Sequence, residues 1–274
     1  MQCTITAIHG YPVKSCRGSA MDHAEFTPTG VTGDRQLMIV RDGAFVNQAR
    51  LPGLARVAPA RIDDGTIAFS RADGAEHAHA VTGEGEQLSL EYYGCPVTVV
   101  DQGDAVARFV SEEVGADVRV VALQAPFTRH VPLEEFALVD GTSQTRFTDI
   151  APVLVTNEAT LDDLNGRLAS PVPMDRFRPN VVVSGLDAFE EDDLTALAGG
   201  GLRLLRATYC ERCAVTCTDQ QTGERSREPL ATLKSYRHRE NGFAGGVLFG
   251  AYMAVEGSGT LAVGDRLTVE RSAG

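Results

Sequence analysis

Short apolar runs, broken by polar and glycine-containing turns, run through the first hundred residues of the chain. Ile5, Ala7 and Ile8 form a strand-like run that stops at Tyr11-Pro12, where proline marks a strand's edge or end. Residues 36–40 predict a strand, Asp42-Gly43 a hairpin turn and 44–48 its partner. Further short strands are predicted over 56–62, 66–70, 77–81, 88–92 and 96–100, with turns at 63–65 and 73–74. Such spacing points to a barrel or compact sheet domain. Then the period changes. Val106, Phe109, Val110 and Val114 fall on one face of a helix over 104–115, and 118–123 returns to a strand.

From 124 to 147 the pattern breaks down into a polar, mixed stretch of long-loop length, read as a lid or domain boundary, with His130 as a surface loop residue. Beyond it, 152–156 predicts a strand, and Asn157 or Thr156 caps a helix over 158–168 with Leu161, Leu164 and Leu168 on one face. Val181-Val182-Val183 is the strongest β run. Leu194 and Leu197 suggest one helical turn. A strand over 202–207 leads into Cys210-Glu211-Arg212-Cys213-Ala214-Val215-Thr216-Cys217, where Ala214 to Thr216 favour a strand, and residues 220–223 read as a turn. Pro229 opens a short helix to 237, 241–246 is a glycine-rich loop, and strands over 248–255 and 261–269 close the chain.

The cysteine cluster changes the picture most. Thiolates are reactive and bind soft metals. Only Cys210 and Cys213 make a C-x-x-C, too few for a closed structural zinc site, and the spacing of a plant-type iron–sulfur centre is absent. One thiolate could instead complete a metal held by its own organic ligand; the cluster could also be ordinary buried cysteines. Elsewhere, the polar loop 13–18 brings Lys14, Ser15 and Arg17 together as an anion would require, or as a solvated turn. A formal charge of −12 argues against nucleic-acid and anionic-membrane partners. Six cysteines without a secretory signal or an apolar run of membrane-spanning length suggest a reducing, cytoplasmic setting.

Taken in order, Tyr-Pro-Val-Lys-Ser-Cys at 11–16, Gly-Asp-Arg at 33–35, Phe-Arg-Pro-Asn at 177–180, Cys-x-Arg-Cys at 210–213, Thr-Asp-x-x-Thr-Gly at 218–223, Pro-Leu-x-Thr-Leu-Lys-Ser-Tyr-Arg at 229–237, Phe-Gly-x-Tyr at 249–252 and Val-Gly-Asp at 263–265 form a pattern over nearly the whole chain. It resembles MOSC-domain proteins with an N-terminal MOSC β-barrel, the family of the mitochondrial amidoxime-reducing component and bacterial YcbX-type proteins. The resemblance implies a mainly β, α+β fold, with a barrel-like domain over 1–123 and a MOSC barrel domain over 124–274, its core about 148–271. It implies a molybdenum cofactor (Mo-molybdopterin) with Cys213 as the protein's ligand to molybdenum. By the same resemblance Lys14, Ser15, Arg35, Arg178 and Asn180 hold the pterin and its phosphate, and Thr148, Asp149, Ile150, Ala151, Glu211, Arg212 and Tyr252 line the pocket. Contact at Ile150 and Ala151 would run through backbone groups. Cys217 is expected to be structural.

The activity so implied is reduction of small N-hydroxylated compounds (amidoximes, hydroxylamines and N-hydroxylated bases). Some relatives carry a ferredoxin domain and the mitochondrial form a membrane anchor; neither is seen in this sequence. A separate electron donor is therefore expected, a ferredoxin or a cytochrome b5-like protein with its reductase. Two other classes compete. One is a cofactor carrier or sulfur-transfer module bearing a persulfide on Cys210 or Cys213. The other is a small β-barrel binding protein with incidental cysteines.

Overall fold

The computed structural model describes residues 1–130, 142–240 and 245–271. The fold is mainly β with three α-helices among the described residues. Its largest body is a closed seven-stranded barrel. In order around it stand Val181–Ser184, Val153–Asn157, Leu248–Gly257, Leu202–Glu211, Leu194–Gly199, Arg266–Arg271 and Gln2–Gly10, and the last pairs back onto Val181–Ser184. All neighbours are antiparallel except Val153–Asn157 beside Val181–Ser184. Alternation along each strand sends Ile5, Val155, Val183, Leu204, Met253 and Leu267 into one shared core. The first strand, read from sequence as part of the N-terminal half, is thus a stave of the barrel built from the C-terminal half. The barrel is closed only by joining the two ends of the chain.

A parallel pair needs a crossover. The helix Glu158–Asn165 supplies part of it, opened by Asn157, whose side-chain oxygen accepts the Ala159 amide at 3.3 Å. The same side chain donates to the Asp187 carbonyl at 2.7 Å. Asn157→Ala is expected to cost about 1–2 kcal/mol, the worth of a helix cap, read as a lower midpoint in chemical denaturation.

Most of the remainder of the first half is a six-stranded sheet (Gln87–Tyr92, Cys95–Asp101, Arg119–Leu123, Leu37–Arg41, Val13–Lys14, with Ala44–Phe45 on Leu37–Arg41) and a three-stranded meander (Ala58–Arg61, Thr66–Ser70, Glu76–Ala80). Ser19–Met21 pairs with Gln2–Gly10, and His23–Thr27 pairs with Gly30–Val31 and with Gly259–Ala262. The helix Asp104–Val114 buries Val106 and Val110 among Leu37, Ile39, Leu54, Phe69 and Val120. These follow the periodicities of the sequence closely.

Three local expectations are corrected. Leu194 and Leu197 lie on the strand Leu194–Gly199, not on a helical turn. An irregularity in its pairing between Leu194 and Ala196 lets two residues spaced by three both face the core, which imitates helical spacing. Ala214–Cys217 is a 3-10 turn rather than a strand, because Thr216 folds back and gives both its amide (3.2 Å) and its hydroxyl (3.0 Å) to the Cys213 carbonyl. The stretch 124–147 is not wholly irregular: Phe127–His130 pairs with Thr142–Thr145, so His130 ends a strand. The remainder of that loop, 131–141, and most of the glycine-rich loop, 241–244, lie outside the described residues.

Candidate functional site

A single cleft gathers residues from both halves of the molecule. Lys14, Ser15, Arg35, Thr148, Asp149, Ala151, Arg178, Asn180, Glu211, Arg212, Cys213 and Tyr252 all line it. Of the residues named from the resemblance, only Ile150 is absent from the lining, and it packs with Ala151, Ala207 and Tyr252. Arg17 and Cys210, named from the residues alone, also lie outside it, Arg17 bonding to the Ala55 and Gln221 carbonyls at 3.0 and 3.1 Å. Asn47, Tyr93, Leu154, Phe177 and Val215 line the cleft without having been anticipated.

Backbone strain is concentrated here. Six non-glycine residues among those described adopt positive φ, and four of them, Ser15, Arg35, Tyr93 and Arg178, line the cleft. Each such residue costs about 1–3 kcal/mol and persists only where its surroundings impose it. Arg178 is the clearest case. It closes the 3-10 turn Met174–Phe177 at φ 56°, a position where glycine is usual, and the turn thereby aims a buried guanidinium into the cleft.

The four cations differ in what already holds them. The Lys14 ammonium is paired with Asp149, donates to the Phe147 carbonyl at 3.1 Å, and lies 5.3–5.8 Å from the ring centres of Phe45, Tyr92 and Tyr93. Burial pulls its pKa down, and Asp149 opposes that. Arg35 is paired with Asp34 and donates to the Asn180 side-chain oxygen at 3.3 Å. Arg178 donates to neutral acceptors, the Cys16 carbonyl at 2.7 Å and the Gln220 side-chain oxygen at 3.2 Å. Arg212 likewise donates to the Cys210 sulfur at 2.6 Å and the Phe177 carbonyl at 2.7 Å. Among the described residues neither Arg178 nor Arg212 forms an ion pair with a carboxylate. Their charge is the part of the cluster that stays uncompensated.

Tyr11 and Asn180 organise this array. Arg35 and Arg178 lie over the Tyr11 ring at 4.7 and 4.4 Å, and the Tyr11 hydroxyl donates to the Pro179 carbonyl at 3.1 Å. Burial raises the Tyr11 pKa above the usual phenol range, so the ring stays neutral. The Asn180 side chain accepts from the Leu154 amide (3.2 Å) and donates to the His9 carbonyl (3.3 Å), tying two barrel strands to Arg35. Tyr11 belongs to the first motif read from sequence, but no role was visible there.

The three clustered cysteines separate by environment. Cys213 is exposed in the cleft; Cys210 and Cys217 are buried. Burial pushes the Cys210 thiol up, against the pull of Arg212, and the Tyr252 hydroxyl hydrogen-bonds to it. Cys217 faces the Arg227 carbonyl at 3.5 Å, outside the cleft lining. Asp149 is about half exposed (51%). Desolvation pushes its carboxyl up, but the Lys14 ammonium more than reverses this and holds it below the usual carboxylate range. The Tyr93 hydroxyl donates to Asp149 at 3.0 Å.

The donor set fits a phosphate-bearing, metal-carrying group. Among the described residues no cluster of three or more His, Cys, Asp or Glu could hold a metal by itself. The cleft instead offers one open thiol, four cations against the carboxylates of Asp149 and Glu211, and a buried Arg212 Nε–H with no partner. A metal that brings its own ligands, on an organic part that ends in an anion, would use all three.

Comparison with known proteins places this architecture in a class. Residues 2–117 match the model of the MOSC N-terminal beta barrel domain, and residues 142–268 that of the MOSC domain. Mitochondrial amidoxime reducing component 2 of Bos taurus is 33% identical over 96% of this chain and 82% of its own. Mitochondrial amidoxime-reducing component 1 of Homo sapiens is 32% identical over 96% and 81%. The YuaD protein of Bacillus subtilis, a solved structure, superposes with a TM-score of 0.40 at 14% identity over 100% of this chain and 98% of its own. The chain belongs to the MOSC family with an N-terminal MOSC β-barrel, the family that includes the amidoxime-reducing components.

Proposed function

We propose that this protein is a molybdenum-cofactor-dependent reductase of N-hydroxylated compounds. The observation that carries the reading is the exposed Cys213 thiol, set in one cleft with Arg178 and Arg212, whose charges no carboxylate pairs. The names of the relatives, which speak of amidoxime reduction, support the same class of substrate.

On this reading Cys213 gives the metal its protein thiolate. Arg178 and Arg212 hold the cofactor's anionic end, with the Arg212 Nε–H meeting an acceptor it otherwise lacks. Lys14 and Arg35, already paired, act mainly by fixing Asp149 and Asp34. When bound, the cofactor supplies the two-electron chemistry. The overall reaction breaks an N–O bond, consumes two electrons and two protons, and releases water and the reduced nitrogen compound. Asp149 is held ionised by Lys14, so it offers an acceptor to substrate N–H groups rather than a proton. Electrons come from a separate ferredoxin or cytochrome b5-like donor with its reductase.

The test is metal and pterin analysis of protein made in a host that loads a control molybdoenzyme, followed by benzamidoxime reduction with an artificial donor. Equimolar molybdenum and pterin with turnover is the expected result. Neither, beside a loaded control, would overturn the reading in favour of sulfur transfer, and a persulfide on Cys213 would then be sought by mass spectrometry.

A further inference from the structure

The turn at 218–223, the Thr-Asp-x-x-Thr-Gly of the sequence pattern, takes no direct part in the cleft lining. Its construction shows what it joins. Asp219 closes it: one side-chain oxygen accepts the Gln221 and Thr222 amides at 2.9 Å each, and its carbonyl accepts the Gly223 amide at 2.9 Å. The other oxygen accepts from Arg176 at 2.8 Å, two residues before Arg178. Gly223 has φ +74°, and a Cβ there would stand 3.1 Å from the Pro52 carbonyl of the N-terminal half. Arg17 reaches from that half to the Gln221 carbonyl (3.1 Å), and Arg225 reaches back to the Ala49 carbonyl (3.0 Å).

At the centre of this junction Gln220 and Gln48 are both buried, 2% and 0% exposed, and bond reciprocally at 3.0 and 2.9 Å across 172 residues of sequence. The second Gln220 N–H goes to the Thr218 carbonyl at 3.0 Å, and its oxygen also accepts Arg178 Nη1 at 3.2 Å. All four hydrogen-bonding positions of that amide are used, which fixes its orientation. The choice of an amide matters. A carboxylate here would hold the guanidinium but neutralise it; an amide oxygen holds it and leaves its charge for an anion in the cleft.

We propose that Gln220, braced by Gln48 from the other half of the molecule, is a positioning residue for Arg178, and that this interdomain pair sets how firmly the cleft retains the anionic end of its cofactor. The proposal rests on the reading of the cleft as a molybdenum-cofactor site.

The experiment uses full-length protein from a cofactor-supplying host. Molybdenum and pterin per chain are followed through prolonged dialysis for wild type, Gln220→Met, Gln48→Met, Arg178→Ala and the double variant Gln220→Met/Arg178→Ala, each checked for thermal midpoint. Gln220→Met and Gln48→Met are expected to release cofactor about tenfold faster than wild type, the worth of a hydrogen bond to a charged group. Arg178→Ala releases at least as fast, and the double variant no faster than Arg178→Ala. Should Gln220→Met fail to fold, Gln48→Met carries the test, because it unbraces Gln220 without touching Arg178. Wild-type retention in both methionine variants would overturn the proposal, as would multiplying effects in the double variant, the mark of a merely structural role. Wild-type protein that takes up neither molybdenum nor pterin would overturn the reading of the cleft itself, a distinguishable failure.

Discussion

On the proposed reading of Cys213 as the metal's protein ligand, Cys213→Ser should abolish cofactor-dependent reduction while leaving the fold intact. The thiol is exposed at the end of the strand Leu202–Glu211, where exchanging sulfur for oxygen removes no core contact. Surface changes of that kind usually stay within about 0.5 kcal/mol. Chemically the change is large, because a serine hydroxyl stays protonated near neutral pH and is a poor donor to a soft metal. Loss of an outer partner of a metal ligand already costs about 10–100-fold, so loss of the ligand should lower turnover by more than about 100-fold. The measurements are turnover with an artificial donor, molybdenum content and thermal midpoint on the same preparation. Wild-type turnover in the serine variant would sink the assignment. Cys210→Ser is the informative control. Its sulfur is buried against Arg212 and Tyr252 rather than open to the cleft, so its loss should act on stability and on Arg212, not on the metal bond.

The contrast between those two cysteines shows where sequence reading stops. Cys-x-Arg-Cys was legible as a unit, and resemblance singled out Cys213, but spacing alone could not say which thiol faces the cleft. That depends on the strand ending at Glu211 and the 3-10 turn at Ala214–Cys217, which turns the chain immediately beyond Cys213. Strand positions in the first half were readable because alternation is a local signal. Barrel closure was not: Gln2–Gly10 reads as a strand, yet nothing within it names Val181–Ser184 and Arg266–Arg271 as partners. The cationic residues were legible as charges, but not all their partners were: Lys14 meets Asp149, and Arg178 the Cys16 carbonyl, across more than a hundred residues of sequence, whereas Arg35 pairs with the adjacent Asp34 and Arg212 bonds to Cys210 and Phe177. Tyr93 carried no sequence signal. It reaches the cleft through a left-handed turn between Gln87–Tyr92 and Cys95–Asp101, where glycine or asparagine would be the usual choice.

A second large effect is expected outside the cleft, where the 3-10 turn Glu190–Asp192 is fastened to the barrel by buried carboxyls. One Glu191 side-chain oxygen accepts from Thr160 at 2.8 Å and Asn157 at 3.4 Å, while the other, also buried, has no partner. Asp192 beside it is paired with Arg237. Burial, reinforced by the Asp192 charge, raises the Glu191 carboxyl from its ordinary 4.5 to about 7. A carboxyl raised on folding stabilises the native state fully below its unfolded pKa, and that stabilisation is lost as pH rises through the folded value. The window therefore runs from 4.5 to about 7. At about 1.4 kcal/mol per pH unit, crossing it removes about 3 kcal/mol. Glu191→Gln keeps the shape and removes the titration. Its unfolding free energy relative to wild type should rise by about 3 kcal/mol between pH 4.5 and pH 7 and then level. Urea denaturation across that range measures it, and parallel profiles for the two proteins would show that Glu191 stays ionised in the fold. Asp149 works in the opposite sense. Lys14 holds it below the ordinary carboxylate range, so the stability it lends is present near neutral pH and is lost only as acid protonates it. Mild acid should thus strengthen the barrel end at Glu191 while the cleft keeps its Lys14–Asp149 pair, which is lost only at lower pH.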